Sequence, residues 1–220
     1  MALVLDANTT SESTGAESSR TFSHTCASLF KGGLFLVVCL GSGTPFTGTV
    51  TATYAGVSMT KVGEVHHAGA NDALVALFYL IKPTSGANNV VVSWTGSAVA
   101  QCVARSYSGV HQGLPISTGS YTSTTGVATT ASIAVPSRGG DIVIDGVSIW
   151  SNSAITAGAG QSEILNETFS SHRGGASVEA GDASVTMSWT VPAAVWALAG
   201  MSIHPASPGG GAALSPSMIF

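Results

Sequence analysis

GDIVIDGVSIW, residues Gly140–Trp150, is the stretch whose reading sets the architecture. A turn signal at Arg138–Gly140 opens onto an apolar alternation in which Ile142 and Ile144 share one face and Val143 points to the other. Asp145–Gly146 predicts a bulge, where the buried face can switch before Val147 and Ile149 resume. The stretch therefore predicts a strand buried on at least one side, near the centre of a sheet. Nothing in it is a catalytic signature.

Outward from this strand the same period of two recurs. Strands are predicted at Phe22–Ala27 and Leu34–Leu40, with Lys31–Gly33 as the turn, and at Thr49–Tyr54 and Val57–Thr60 around an Ala55–Gly56 hairpin turn. Val62–His67 is read as a continuation of the second strand of that hairpin, and further strands are predicted at Ala73–Ile81, Asn88–Thr95, Gln101–Ser108 and Ala131–Val135. Ser162–Thr168, Ala176–Glu179, Ser184–Thr190 and Trp196–His204 complete the set. Val90, Val92 and Trp94 share a face. No segment carries a capped apolar stripe at spacings of three and four, and Pro192 and Gly200 favour strand and turn over helix in the Ala-rich run near Trp196. The pattern predicts an all-β fold, an antiparallel β-sandwich of jelly-roll type, as one domain over 21–206. Two similar runs, NNVVVSWTGS and ASVTMSWTVP, hint at an old duplication without forming a clear tandem repeat.

The ends differ from the middle. Residues 1–20 are Ser/Thr-rich and read as an N-terminal arm that would be disordered alone. Residues 207–220 are Pro/Gly/Ala-rich and read as a C-terminal arm whose tip, Met218, Ile219 and Phe220, is the candidate interaction site. The N-terminus has no positive n-region, so synthesis and folding in a cytoplasm are expected.

Of the 220 residues, 45% are hydrophobic and only 8% charged, where an average globular protein carries roughly 25%. Such a chain has much to bury and little charge with which to keep copies apart, so subunit contacts are expected. The net charge is −4 and the seven Lys and Arg are scattered, which argues against nucleic acid as a partner. No apolar run approaches the roughly 20 residues needed to cross a bilayer, so no membrane is expected as a partner. Cys26, Cys39 and Cys102 fit no metal or redox spacing and are expected as buried free thiols.

Catalysis needs convergent ionisable groups. Asp141 and Asp145 lie four apart on a strand, about 13 Å at ~3.3 Å per residue, too far for a glycosidase pair. Glu163 and Glu167 have the same spacing. His66 and His67 point to opposite faces and cannot grip one metal ion together. His111, His172 and His204 are isolated, and SHRGG at Ser171–Gly175 reads as a turn. Gly158–Gly160 lacks the Lys and helix of a phosphate loop, and no HExxH, CxxC or GxSxG occurs. No catalytic, metal or cofactor residues are expected, and no enzymatic activity. Trp94 and Trp189 belong to the core, while Trp150 and Trp196 are left open as parts of a sugar platform.

GDIVIDGVSIW, TAGAGQSEILNET and SVTMSWTVPAAVWALAGMSIHPA, with GTVTATYAGVSMTKVGEV and ALFYLIKPTSGANNVVVSWTGSA in the first half, together resemble a β-sandwich module of bacteriophage structural proteins. The resemblance implies a virion component, a capsid decoration (cement) protein or a tail or fibre module. Its partners would be copies of itself, as a homo-oligomer such as a trimer, and major capsid or tail proteins. Two other classes stand beside it: a carbohydrate-binding β-sandwich and a hydrolase or lyase on a jelly-roll scaffold. The scarcity of ionisable groups speaks against the hydrolase or lyase.

Overall fold

The computed structural model describes residues 1–28, 31–44, 46 and 48–207, so the expected contact site at Met218, Ile219 and Phe220 lies outside the described residues. Among the described residues every regular element is a β-strand, and every pairing is antiparallel. In chain order they are β1 (Val4–Glu12), β2 (Glu17–Cys26), β3 (Gly33–Ser42), β4 (Val50–Tyr54), β5 (Val57–Ser58), β6 (Thr60–His67), β7 (Asp72–Ile81) and β8 (Gly86–Ser108). There follow β9 (Thr122–Gly126), β10 (Thr130–Pro136), β11 (Ile142–Ile149), β12 (Thr156–Ala157), β13 (Ser162–Phe169), β14 (His172–Ala180), β15 (Ser184–Thr190) and β16 (Trp196–Ile203).

The Gly140–Trp150 stretch forms β11, the middle strand of a sheet ordered β13-β14-β11-β16-β9. The bulge expected at Asp145–Gly146 is absent. Both ladders run from Ile142 to Ile149 without a shift in register. Gly146 is there for a different reason: a Cβ on it would overlap Val37 Cγ1 and sit 3.2 Å from Val75 Cγ1, so its bare backbone lets β11 lie close against β3 and β7. The faces then alternate without a switch. Ile142 and Ile144 face the first half of the chain, and Val143, Val147 and Ile149 face away from it.

The two strands expected at Asn88–Thr95 and Gln101–Ser108 are one long β8. Its first part pairs with β2 and β4, and its second with β1 and β3, the change falling around Gly96 at φ 94°. The eight-stranded sheet thus folds over itself, nearly closed and barrel-like, around Leu34, Leu36, Val38, Leu40, Tyr54, Val90, Val92 and Trp94. Each such buried side chain contributes ~1.5–3 kcal/mol.

Residues 1–20 do not form an arm. Val4–Glu12 is a strand paired with β8 from Val4↔Ser108 to Glu12↔Gln101, and β2 begins at Glu17. A Ser/Thr-rich sequence suffices because an edge strand is held by its backbone ladder, which is indifferent to side-chain polarity. The Met1 ammonium donates to Ala206 O at 2.7 Å, which ties the start of the chain to the end of the last strand.

The two halves of the chain have the same topology. In the first, one layer is ordered β6-β7-β3-β8-β1 and the other has β2 and β4 on either side of β8. In the second, the layers are β13-β14-β11-β16-β9 and β10-β15-β12. Taken in chain order, β1 corresponds to β9, β2 to β10, β3 to β11, β4 to β12, β6 to β13 and β7 to β14. The two parts of β8 correspond to β15 and β16. Only the short β5 has no counterpart. Pro192, with no backbone N–H to donate, lies in the break between β15 and β16, at the corner that β8 turns without interruption.

The larger layers of the two halves pack face to face over Phe35, Val37, Cys39, Val75, Leu77, Ile144, Ala199 and Met201. Their contacts obey a two-fold exchange: β6 meets β9 and β1 meets β13, β7 meets β16 and β14 meets β8, and β3 crosses β11 on the pseudo-axis. A two-fold interface places the same patch of both partners in contact. Here both partners belong to one chain.

Candidate functional site

The ionisable side chains that sequence reading singled out are used as fasteners between strands. Asp145 is fully buried in β11. Its Oδ1 accepts hydrogen bonds from Ser177 N at 2.8 Å and Ser177 Oγ at 2.7 Å, and its Oδ2 accepts from Trp189 Nε1 at 2.7 Å. Burial lifts this carboxyl to about 7, against the three donors that favour its charge. Gln161 Nε2 in turn donates to Ser177 Oγ at 2.6 Å, and Gln161 Oε1 accepts from Ser188 N at 2.8 Å. The carboxylate therefore joins β11, β14 and β15 across the second half.

Asp141 belongs to a separate network. It accepts from Ser202 Oγ at 2.7 Å, Ser117 Oγ at 2.8 Å and Arg138 N at 3.2 Å, with His204 Nδ1 at 3.0 Å. Burial alone would raise its pKa, but the His204, Ser202 and Ser117 hydrogen bonds outweigh it and leave the carboxyl below its ordinary value. His204 also stacks on His111, with ring centroids 5.4 Å apart, so neither is the isolated residue expected. The connection between the halves is closed there by bridges from Val110 to Pro205 and from Ile116 to Ile203.

The His66–His67 pair is also divided. His66 Nε2 lies 2.9 Å from the buried carboxylate of Asp72, which also accepts from Gly69 N at 2.6 Å and from Phe46 N. His24, which sequence reading passed over, joins three strands: its ring nitrogens lie 2.9 Å from Thr9 Oγ1 and 3.1 Å from Ser106 Oγ, and Ser106 Oγ donates to Asp6 at 2.7 Å. Glu163 accepts from Ala157 N and Asn166 Nδ2, both at 3.0 Å. Cys26, Cys39 and Cys102 are buried free thiols, and burial pushes Cys102 up to about 12. Among the described residues no group of three or more His, Cys, Asp or Glu is placed to hold a metal ion. None of them forms a helix long and apolar enough to cross a membrane.

His172 is the largest departure from expectation. Instead of lying in a turn it begins β14 and is fully buried, because its ring fills the space left by Gly41: a Cβ there would run into it. Its Nε2 lies 2.8 Å from Ser148 Oγ, which donates to Leu40 O at 2.8 Å. Ser148 has one proton to give and it goes to Leu40, so the bond to Ser148 is made by an Nε2–H and Nδ1 is a bare acceptor. That buried Nδ1 has no partner in the protein. Burial lowers the imidazole to about 3, so it stays neutral at ordinary pH.

His172 lines a cleft of about 310 Å³ between the two halves. Ser42 at the end of β3 and Ser97 at the bend of β8 come from the first half. Trp150, directly after β11, and Phe169 and Ser171 from the β13–β14 turn come from the second. Both aromatic rings are half-buried. Trp196, the other tryptophan left open, is buried, with its Nε1 donating to Ala128 O at 2.9 Å. Nothing in the local sequence signals the Ser148–His172 pair, since its members lie 24 residues apart and meet only through the β11–β14 ladder. No family model matches this chain, and no curated protein is significantly similar to it.

Proposed function

We propose that the protein is a non-enzymatic structural component of a bacteriophage virion, a capsid decoration (cement) protein built from two β-sandwich halves. One observation carries the reading. Asp72, Asp141, Asp145 and His24, ionisable groups that could do chemistry, are each committed to hydrogen bonds that join strands or loops. These four groups are thereby devoted to holding the shape of the chain. A surface with few charges supports the same reading, because copies crowded on a shell repel one another little. The exposed side chains Val4, Leu5, Val57 and Val127 offer apolar contacts to neighbours.

The test is to mix the purified protein with capsid shells of the encoding phage that lack decoration, and to follow co-sedimentation and then the positions occupied on the shell. The reading predicts saturable binding at symmetry-related positions and a shell that resists heating better. Binding to isolated tails and not to shells would transfer the protein to the tail or fibre class. Binding to neither would refute the virion role.

A further inference from the structure

We propose that the cleft between the halves is a binding site for a neutral sugar. The inference does not rest on the virion reading and holds for any role of the protein.

The chemistry of the walls selects the ligand. Not one residue lining the cleft carries a charge: Ser, Gly, Ala and Val alternate with Trp150, Phe169 and a neutral His172. A phosphate, a carboxylate or an ammonium group would enter this space without a countercharge and lose its hydration, which is a large cost. An uncharged ligand has no such cost. A pyranose ring presents C–H faces to aromatic side chains and a rim of hydroxyls to polar groups. The cleft offers both kinds of partner, with two half-buried rings and the exposed hydroxyls of Ser97 and Ser171. Its volume lies at the small end of the range for ligand sites, which suits one or two sugar units.

One further observation sets this cleft apart from an accidental gap. His172 stands in its wall with a buried ring nitrogen, Nδ1, that no group of the protein serves.

The experiment uses the full chain and saturation-transfer NMR with methyl glucoside, methyl galactoside and N-acetylglucosamine as neutral probes. Glucuronate and inorganic phosphate serve as charged probes. Trp150→Ala and Phe169→Ala are compared with the unmodified protein, each first shown to melt cooperatively. The expected result is saturable binding of at least one neutral probe, weakened about tenfold or more by Trp150→Ala, with no binding of phosphate. The proposal is overturned if no neutral probe binds, if both variants bind as tightly as the unmodified protein, or if a charged probe binds as well as the best neutral one.

Discussion

Leu36 in β3 and Asp145 in β11 lie on corresponding strands of the two halves. Leu36 lies between Phe78 of β7 and Ala104 of β8, and Asp145 between Ser177 of β14 and Gly200 of β16. Both point into the core of their own half, where a tryptophan from the facing layer is buried, Trp94 in one and Trp189 in the other. The first half closes this position with hydrocarbon, and Trp94 Nε1 finds a backbone carbonyl, Glu17 O, at 3.0 Å. The second half closes it with a carboxylate whose two oxygens take three hydrogen bonds, one of them from Trp189. One topology thus tolerates an apolar or a polar centre, provided that the polar one is complete.

The comparison breaks most severely if the polar residue is moved without its donors. Leu36→Asp places a carboxylate among Phe78, Ala104 and other apolar groups, and should cost ~3–5 kcal/mol, read as a large drop in the urea midpoint. A midpoint within error of the unmodified protein would show that the first half does not depend on an apolar centre.

Protonation offers the next largest effect. Asp145 titrates at about 7 when folded and at 3.8 as a free side chain. Between these values the folded state holds a proton that the unfolded state has released. Its favourable contribution is therefore full below about 3.8 and is lost as pH rises through 7. His172, at about 3 folded and 6.5 free, runs the other way, with stability present above 6.5 and lost as pH falls. Comparing the unmodified protein with Asp145→Asn cancels the histidine. The stability difference between them should fall by a few kcal/mol from pH 4 to pH 7. A difference that does not change with pH would contradict the assignment.

The reverse exchange should be milder. Asp145→Leu buries no charge but takes the acceptor from Trp189 Nε1, Ser177 Oγ and Ser177 N, at ~1–3 kcal/mol for a buried group left unpaired. Adding Trp189→Phe and Ser177→Ala should recover part of the loss, and no recovery would show that the polar centre is not a closed unit. The smallest effect concerns the seam between the halves. Gly146→Ala pushes a methyl group into Val37 and should cost ~1–2 kcal/mol. Val37→Ala in the same chain should offset part of this, and full additivity of the two changes would place them out of contact.

How much of this could be read beforehand follows from the same residues. Strands with one buried face announce themselves through alternation and strands buried on both faces through unbroken apolar runs, so β3, β7, β11, β13 and β15 fall within a residue or two of the predicted limits. Strands β1 and β9 were not legible. DANTTSE and TSTTG are edge strands held by backbone hydrogen bonds, and carry no apolar period. The shared topology of the halves showed only as two Ser–Trp pairs, since the strands themselves differ in composition, apolar at the middle of β3 and carrying Asp145 at the middle of β11. The cleft was legible only in part. Trp150 stood out as undetermined, but His172 and Ser148 are brought together by ladder register alone.

That the chain is two equivalent halves clasped on a buried two-fold face is tested most directly by cutting the connection between them. A protease site placed at Gly113, between β8 and β9, allows the folded protein to be nicked and then passed over a sizing column under native conditions. If the clasp is as described, the two fragments travel together at the size of the intact protein and part only in denaturant. Fragments that separate in native buffer would contradict it.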